Sequence, residues 1–463
     1  MDLNRLNSTA QRLILAISSI IFILSLYLVN FTADRTEFGF IASFYTLGFI
    51  AYLILYRFRD NFNFRTFVFI AIAAQLVSLW HAPNLSIDYY RFIWDGEITT
   101  MGINPFDFKP NELILSSNFS ENAYLNEIYD GISSLSQRNY SCYPPINQAY
   151  FMIASLFADN IAINTIVLKL LIVLTELLGA IYLIRILKKL GIKTSRIWLL
   201  YLNPLWIVEC TGNTHFEGVM ISFFFIALYF LLQQKIIIGS FFFAIAVQIK
   251  LIPLILLPFF FRYFGFWKSV KFYVITIAAV IAFGFIQLDS SNIENFGSSL
   301  RLYFKVFEFN SFVFYHYLQF GFWDTGYNMT KVYGPRLSYI AILLIFSIAL
   351  IGDHFDWKKL FQRITIGFFI YLLLSNTMHP WYILPLLAFS LFSNFSFPVL
   401  WSYLIFFSYI LYVYNDSSAI QVRIVSNIEY GLVISLFVYE LWKKGTLFQF
   451  LNREMISNQQ TEG

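Results

Sequence analysis

The sequence predicts an all-α polytopic membrane protein, a bundle of about 14 transmembrane helices (range about 11 to 14). Of its 463 residues, 58% are hydrophobic and only 13% are charged, whereas soluble domains carry about 25% charged residues. The mean hydropathy is +0.65, and apolar runs alternate with short basic turns along most of the chain. The composition therefore indicates the lipid bilayer as a partner, and a formal net charge of only +4 indicates no nucleic acid.

Fourteen apolar runs are the candidate spans. They lie at about 12–30, 38–56, 65–81, 162–187, 196–211, 217–233, 236–249, 251–265, 269–288, 336–352, 364–378, 381–394, 397–414 and 425–442. Several are shorter than the roughly 20 residues that a perpendicular helix needs to cross a bilayer. Such short spans are typical of enzymes and transporters whose helices end inside a cavity.

The distribution of Lys and Arg orients the chain in the membrane. Basic residues gather in the turns at 57–65, 185–196, 268–271, 358–363 and 443–444. All of these turns fall on one side if both termini are cytoplasmic and the fourteen helices cross. The first run lacks a small-residue cleavage site, which predicts a retained helix and not a removed signal peptide. The same topology requires the apolar stretch 146–158 to be re-entrant or interfacial.

The whole chain is predicted to form one integral membrane domain. Its parts are three N-terminal helices (1–81), an extracytoplasmic catalytic loop with the re-entrant helix (82–161), central helices (162–288), a second extracytoplasmic loop (289–335), C-terminal helices (336–442) and a cytoplasmic tail (443–463). Between 82 and 145 the first loop has eight acidic and three basic residues, a net charge of −5. Long connections in a chain of otherwise tight turns are usually functional, so the active face is predicted to be extracytoplasmic.

A charged and aromatic segment, Ser86 to Glu97, opens the first loop. If it is helical, Asp88, Arg91 and Asp95 are spaced three and four residues apart and share one face. Two carboxylates and a guanidinium beside a membrane are costly to hold there. The spacing alone is equally compatible with a solvated amphipathic helix on the bilayer surface.

Short motifs follow one another in a fixed order. They are Asp88-Tyr-Tyr-Arg91-Phe-Ile-Trp94-Asp95-Gly96, Gly102-Ile-Asn104-Pro105-Phe106, Tyr143-Pro144-Pro145, Asn203-Pro204-Leu205, Gly212-Asn213-Thr214-His215-Phe216-Glu217, Lys250-Leu-Ile-Pro253 and His379-Pro380-Trp381-Tyr382. This order resembles the GT-C superfamily of membrane glycosyltransferases, in particular the bacterial polyprenyl-phosphate-mannose-dependent mannosyltransferases. More distantly, it is similar to the catalytic subunit of the first GPI mannosyltransferase. The chain departs from the simplest GT-C plan in having three helices before the Asp motif, and Ser86 stands where a first carboxylate often does.

The resemblance implies transfer of a sugar, mannose in the first instance, from a polyprenyl-phosphate donor to a hydroxyl of a glycan or lipid-linked acceptor, with inversion. It assigns Asp88 as the general base, the alternative being a helix N-terminal cap. Arg91 and Asp95 are then predicted to orient the base or to bind acceptor hydroxyls.

Cations are needed to hold the departing lipid phosphate. Lys250 matches the family's Lys-x-x-Pro element and is predicted to bind the phosphate, the alternative being a side chain that snorkels to the interface. Arg301, Lys305 and Arg336 of the second loop are further candidates, because guanidinium is the better bidentate phosphate ligand.

Other polar and aromatic residues complete the predicted site. Asn213, His215 and Glu217 lie at an outer turn and are candidates for sugar or acceptor contacts, or for capping the next helix. Further candidates are Tyr143, His379, Trp381 and Tyr382, although Trp and Tyr are also common simply as interface anchors.

Five His and no Cys/His cluster predict no zinc site, and a divalent metal is possible but not required. Cys142 and Cys210 both fall on the outer face in this topology, where an oxidising compartment would permit a bridge, but two unbridged thiols are the preferred interpretation.

Three other classes of protein remain open at this stage. A transporter or flippase for a lipid-linked or polar solute predicts internal repeats and interrupted helices at the midplane, and no repeat is found in the sequence. A GT-C aminosugar transferase acting on lipid A differs only in substrates, and a non-catalytic membrane subunit does not need ordered charged motifs. The predicted location is a bacterial inner membrane, with the active site facing the periplasm or exterior.

Overall fold

A computed structural model describes residues 8–31, 34–305, 308–351, 356–393 and 395–443, without the side chains of 302–305. Within these ranges the secondary structure is helical, apart from an isolated parallel bridge between Phe309 and Thr377. An all-α architecture is therefore confirmed for the described part of the chain.

Three helices precede the first large loop. They are α1 (Ser8–Phe31), α2 (Phe38–Arg57) and α3 (Phe64–Leu79). α1 packs against both α2 and α3. The α3 helix begins where the side chain of Asn63 accepts a hydrogen bond from the Arg65 amide at 3.0 Å, a standard way to satisfy a helix N-terminus.

The first loop is built from short helices. They are α4 (Asp88–Thr100), α5 (Pro110–Leu113), α6 (Ser117–Ser120), α7 (Ala123–Gly131), α8 (Ser134–Gln137) and α9 (Pro145–Ser155). With 11 residues, α9 is about 16 Å long, too short to cross a bilayer. It packs closely on α4, because a Cβ atom at Gly96 would lie 2.4 Å from the Phe151 carbonyl oxygen.

The central region alternates long and broken helices. It comprises α10 (Ile161–Lys189), a 3₁₀ turn (Thr194–Ile197), α11 (Trp198–Tyr201), α12 (Pro204–Trp206), a π-helix (Ile207–Gly212), α13 (Glu217–Leu232), α14 (Ile236–Ile249), a 3₁₀ turn (Ile252–Leu256), α15 (Leu257–Phe264) and α16 (Phe266–Gly284). The segment Pro204–Gly212 is bent by 109° from α13. This bend places the Gly212-to-Glu217 motif at a sharp corner inside the bundle.

The remaining helices begin in the second loop. They are α17 (Ile293–Lys305), α18 (Val313–Thr325), α19 (Thr330–Leu350), α20 (Trp357–Leu373), a 3₁₀ turn (Pro380–Ile383), α21 (Leu384–Ser390), α22 (Phe397–Leu404), a 3₁₀ segment (Ile405–Ile410), α23 (Leu411–Tyr414) and α24 (Ile420–Lys443). The second loop docks on the first. Asn104 Nδ2 donates to the Gln287 carbonyl at 2.5 Å, and Asn295 Nδ2 donates to the Phe106 carbonyl at 3.0 Å.

The long apolar helices are those of a polytopic membrane protein, but the predicted count of about 14 spans is not confirmed. Among the described residues, seven helical segments are long and apolar enough to cross a membrane, or up to eight if the bent pair counts as one. Four further apolar helices are shorter, with 10 to 17 residues. The difference arises because an apolar run in the sequence does not reveal where its helix breaks. The re-entrant helix, the two-sided topology and the position of both termini stay predictions.

Candidate functional site

Asp88 is the first residue of α4 and is half-buried. Its own amide donates to Ser86 Oγ at 3.3 Å, so the serine serves the backbone at this end of the helix. Among the described residues, none donates a hydrogen bond to the Asp88 carboxylate. The helix-cap alternative is therefore not what the structure contains, and the carboxylate is available to a ligand.

Arg91 and Asp95 form a buried ion pair one turn apart on the same helix. Arg91 Nε donates to Asp95 Oδ1 at 2.7 Å, and Arg91 Nη1 donates to the Ser136 carbonyl at 2.6 Å. The other Asp95 oxygen accepts from Ser141 Oγ at 2.6 Å and Gln148 Nε2 at 3.1 Å. Asp95 is fully buried, so the pair fastens the first loop to α4 and α9 and does not face an open site.

A second ion pair links α13 to the end of α14. Lys250 Nζ lies 2.5 Å from Glu217 Oε1, with side-chain exposures of 18% and 0%. Asp88 interacts electrostatically with both residues of this pair. Three elements that are distant in sequence thus bring one lysine and two carboxylates together.

Burial raises the pKa of Asp88 above its ordinary value, while the positive charges of Lys250 and Arg35 act in the opposite direction. A higher pKa makes the carboxylate a stronger base, because its affinity for a proton is greater. The carboxylate at the start of α4 is therefore a stronger base than an ordinary solvent-exposed aspartate.

Four rings stack next to these charged groups. The ring centroids of His215 and Trp381 are 3.6 Å apart, and those of Trp381 and His379 are 4.4 Å apart. The ring centroids of Phe309 and His379 are 4.3 Å apart. We call these four side chains the aromatic stack. The backbone bridge next to it, in which the Met378 amide donates to the Phe309 carbonyl at 2.8 Å, ties the second loop to this stack.

A strained turn positions His215. Thr214 has φ of +60°, a left-handed conformation that is unfavourable for a β-branched residue. The His215 amide donates to the Glu209 carbonyl at 3.0 Å, and His215 Nε2 lies 3.6 Å from Glu209 Oε2. Asn213 Nδ2 and the Tyr409 hydroxyl both donate to the Glu209 carboxylate, at 3.1 and 3.0 Å. The predicted residues Asn213 and His215 are therefore held by one buried glutamate.

Two of the remaining predicted residues, Tyr382 and Tyr143, lie close to Asp88 or to its helix. Tyr382 is within electrostatic range of Glu217 and Asp88. Tyr143 packs edge-on against Phe92, with centroids 5.0 Å apart, and so supports α4 from the side.

The second-loop cations are not joined to Asp88 by any contact in the described structure. Arg301 and Arg336 are exposed, and Arg336 lies over the Tyr333 ring at 5.7 Å. The side chain of Lys305 lies outside the described residues. Among the predicted phosphate ligands whose side chains are described, Lys250 is the one within electrostatic range of Asp88.

Three residues near the site were not predicted from the sequence: Arg35, Glu209 and Tyr412. Arg35 lies over the Tyr412 ring at 4.5 Å, and both are within electrostatic range of Asp88. A signal for Arg35 existed, since it is a basic residue in the short turn between the first two apolar helices. Glu209 and Tyr412 lie inside apolar runs, where the sequence shows no partner for them.

No group of three or more His, Cys, Asp or Glu side chains in the described ranges is arranged to hold a metal ion. Cys142 and Cys210 are not joined by a disulfide. The site as described is thus made of carboxylates, cations and aromatic rings.

The sequence matches a known protein family over the part of the chain that contains the charged groups of this site. Residues 35–264 match the model of a family described as alpha-(1->6)-mannopyranosyltransferase, N-terminal domain. The matched segment includes Asp88, Glu217 and Lys250. Over these 230 of its 463 residues the chain is similar to a mannosyltransferase family, which confirms the resemblance to mannosyltransferases predicted from its motifs.

A known protein is also similar to this chain. The chain is similar to alpha-(1->6)-mannopyranosyltransferase A of Corynebacterium glutamicum, with 22% identity over 187 residues, which cover 39% of this chain and 35% of that relative. The match thus spans about a third of the relative's length. No solved structure gives a match.

Proposed function

We propose that the protein is an inverting glycosyltransferase that moves mannose from a polyprenyl-phosphate donor to a hydroxyl of an extracytoplasmic glycan or lipid-linked acceptor. The observation that carries this proposal is the Asp88 carboxylate. It is half-buried, has a raised pKa, accepts no hydrogen bond from the described residues, and lies beside the Lys250–Glu217 pair. The family match and the curated relative support mannose as the sugar.

In the proposed reaction, the acceptor oxygen forms a bond to the anomeric carbon of the donor as the bond from that carbon to the phosphate oxygen breaks. The acceptor proton passes to Asp88, and polyprenyl phosphate leaves with the electron pair of the broken bond. General-base catalysis of this kind contributes about 10²–10⁴-fold to the rate. The ammonium group of Lys250 stabilises the negative charge that grows on the phosphate.

Glu217 has a supporting role in this proposal. Its fully buried carboxylate lies 2.5 Å from Lys250 Nζ, which fixes the position of the ammonium group. The aromatic stack of His215, Trp381, His379 and Phe309 is buried beside the charged groups. We assign it to shaping the wall of the sugar-binding site.

The direct test is transfer of label by the purified full-length chain in proteoliposomes. We expect [³H]mannose to pass from polyprenyl-phosphate mannose to a glycan acceptor, and not from a nucleotide sugar. Label from a polyprenyl-phosphate aminosugar in place of mannose would assign the chain to the aminosugar transferases. Movement of intact donor across the bilayer without transfer of label would contradict the proposal and indicate a flippase.

A further inference from the structure

The turn between α1 and α2 contains Arg35, whose guanidinium has no role in the reaction proposed above. Arg35 is half-buried and lies 4.5 Å above the Tyr412 ring, a cation–π arrangement that holds a charge in place. Its charge acts on Asp88 and on Tyr412. Arg35 is therefore fixed at the edge of the site by a residue from the far end of the chain.

Arg35 differs from Lys250 in how its charge is compensated. The ammonium group of Lys250 is 2.5 Å from a buried carboxylate. No carboxylate of the described residues lies within 4.0 Å of the Arg35 guanidinium. Arg35 is thus the cation beside Asp88 that is free to form a charge-assisted, bidentate contact with an anion.

A groove begins at the residues that directly follow Arg35 and Tyr412 in the chain. Its volume is about 350 Å³, and it is open to the outside of the bundle. The apolar lining residues include Phe38, Phe40, Ile410 and Val413, and the polar ones are Thr36 and Glu37. Arg35 directly precedes the lining residue Thr36, and its guanidinium lies over Tyr412, which directly precedes the lining residue Val413. A mainly apolar groove next to an arginine matches a ligand with a hydrocarbon tail and an anionic head.

Two acids share the turn with Arg35, and both are engaged locally. Asp34 Oδ1 accepts from the Thr36 amide at 2.8 Å, and Glu37 Oε2 accepts from the Asp34 amide at 3.1 Å. They shape the turn, but their negative charge also opposes anion binding. Removing the charge of Glu37 should therefore strengthen the binding of an anion at Arg35, which gives a control of opposite sign.

We propose that this groove and Arg35 form the docking site of the donor, with the isoprenoid tail between α2 and α23 and the phosphate on the Arg35 guanidinium. The inference rests on the proposed function and deepens it. Burial of tail methylenes provides affinity, and Arg35, whose charge acts on Asp88, holds the phosphate.

The test measures binding, so that it does not depend on turnover. Radiolabelled polyprenyl phosphate is titrated against the purified full-length chain in nanodiscs, and dimethylallyl phosphate serves as a probe whose tail is too short to fill the groove. We expect Arg35→Gln to weaken the binding of both probes about tenfold or more. Arg35→Lys should recover part of the loss, and Glu37→Gln should tighten binding.

Gly39 offers a separate test of the groove. It lines the groove and has nothing within 4 Å of the position of a Cβ atom, so a side chain there enters open space. We expect Gly39→Trp to weaken polyprenyl phosphate about tenfold and to change dimethylallyl phosphate binding less than about twofold, because only the long tail occupies the groove. Arg35→Gln, in contrast, should affect both probes.

The outcomes separate this inference from the proposed function. Unchanged binding of polyprenyl phosphate in Arg35→Gln would overturn the inference, as would equal competition by inorganic phosphate or a wild-type chain that binds no lipid phosphate. Loss of acceptor binding in Arg35→Gln with normal donor binding would likewise overturn it, and would assign Arg35 to the acceptor. Donor binding that depends on Arg35, in a chain that transfers no mannose, would support the donor site and refute the proposed reaction.

Discussion

At the scale of single residues, the two carboxylates of the motif helix have different surroundings. Asp95 is fully buried and accepts hydrogen bonds from three side chains. Asp88 is half-buried and accepts none from the described residues. Since a proton acceptor in catalysis must reach its substrate, the difference assigns chemistry to Asp88 and support to Asp95.

The pH dependence of transfer follows from the Asp88 pKa. Burial raises that pKa, and the base works only when it is deprotonated. The rate should therefore fall as the pH drops through a value above the ordinary Asp pKa of about 3.9. Lys250→Met removes a positive charge that lowers this pKa, so its acid limb should move to higher pH. The measurement is kcat/KM against pH, with Lys250→Arg as the charge-conserving control, and an unshifted limb in Lys250→Met would contradict the assignment.

At the scale of elements, α4 is held in place from two directions. Its Arg91–Asp95 pair is bonded to the segment between α8 and α9, and Gly96 allows α9 to approach so closely that a Cβ atom would collide with the Phe151 carbonyl. The position of Asp88 at the start of this helix therefore depends on packing that lies one to two turns away.

Breaking this ion pair should unfold the first loop more easily. Removal of one partner from a buried pair costs about 3–5 kcal/mol, because the other charge is left buried without compensation. We expect Arg91→Met to lower the midpoint of thermal unfolding of the detergent-solubilised chain by several degrees or more. Arg138→Met is the matched control, since Arg138 is an exposed arginine of the same loop and should change stability by less than about 0.5 kcal/mol. Equal midpoints for the two variants would show that the pair does not fasten the loop.

At the scale of the whole molecule, hydropathy is sufficient to locate the long apolar helices. The apolar runs 12–30, 38–56 and 162–187 coincide with α1, α2 and α10 to within a few residues, because a long apolar run in a bilayer protein can satisfy its backbone only as a helix. The sequence places Asp88, Arg91 and Asp95 on one face if the motif segment is helical, and the segment is a helix that contains the Arg91–Asp95 ion pair.

Contacts between distant segments could not be predicted in the same way. The pairing of Glu217 with Lys250 depends on the 109° bend before α13, and no local pattern encodes a bend at a π-helix. The aromatic stack requires the bridge between Phe309 and Thr377, which joins the second loop to the segment before α21. The role of Arg35 could not be predicted from the sequence, because its partner Tyr412 lies near the other end of the chain.

The two-sided topology makes a prediction for the whole molecule. Ser120 and Lys189 are both exposed and fall on opposite sides in the predicted orientation. In a chain with Cys142→Ser and Cys210→Ala, we expect Ser120→Cys to react with a membrane-impermeant maleimide added to intact spheroplasts. Lys189→Cys should react only after the membrane is permeabilised. The reverse pattern would place the first loop in the cytoplasm.

In the proposed reaction, the Asp88 carboxylate takes the acceptor's proton during sugar transfer from a lipid phosphate. The most direct test of this step is the initial rate of mannose transfer by Asp88→Asn in proteoliposomes, compared with Asp130→Asn, which changes an exposed acid of the same loop. We predict a loss of about 10²–10⁴-fold for Asp88→Asn, with donor binding and thermal stability close to those of the wild type, and less than about a twofold change for Asp130→Asn. A near-normal rate in a folded Asp88→Asn protein would contradict the account.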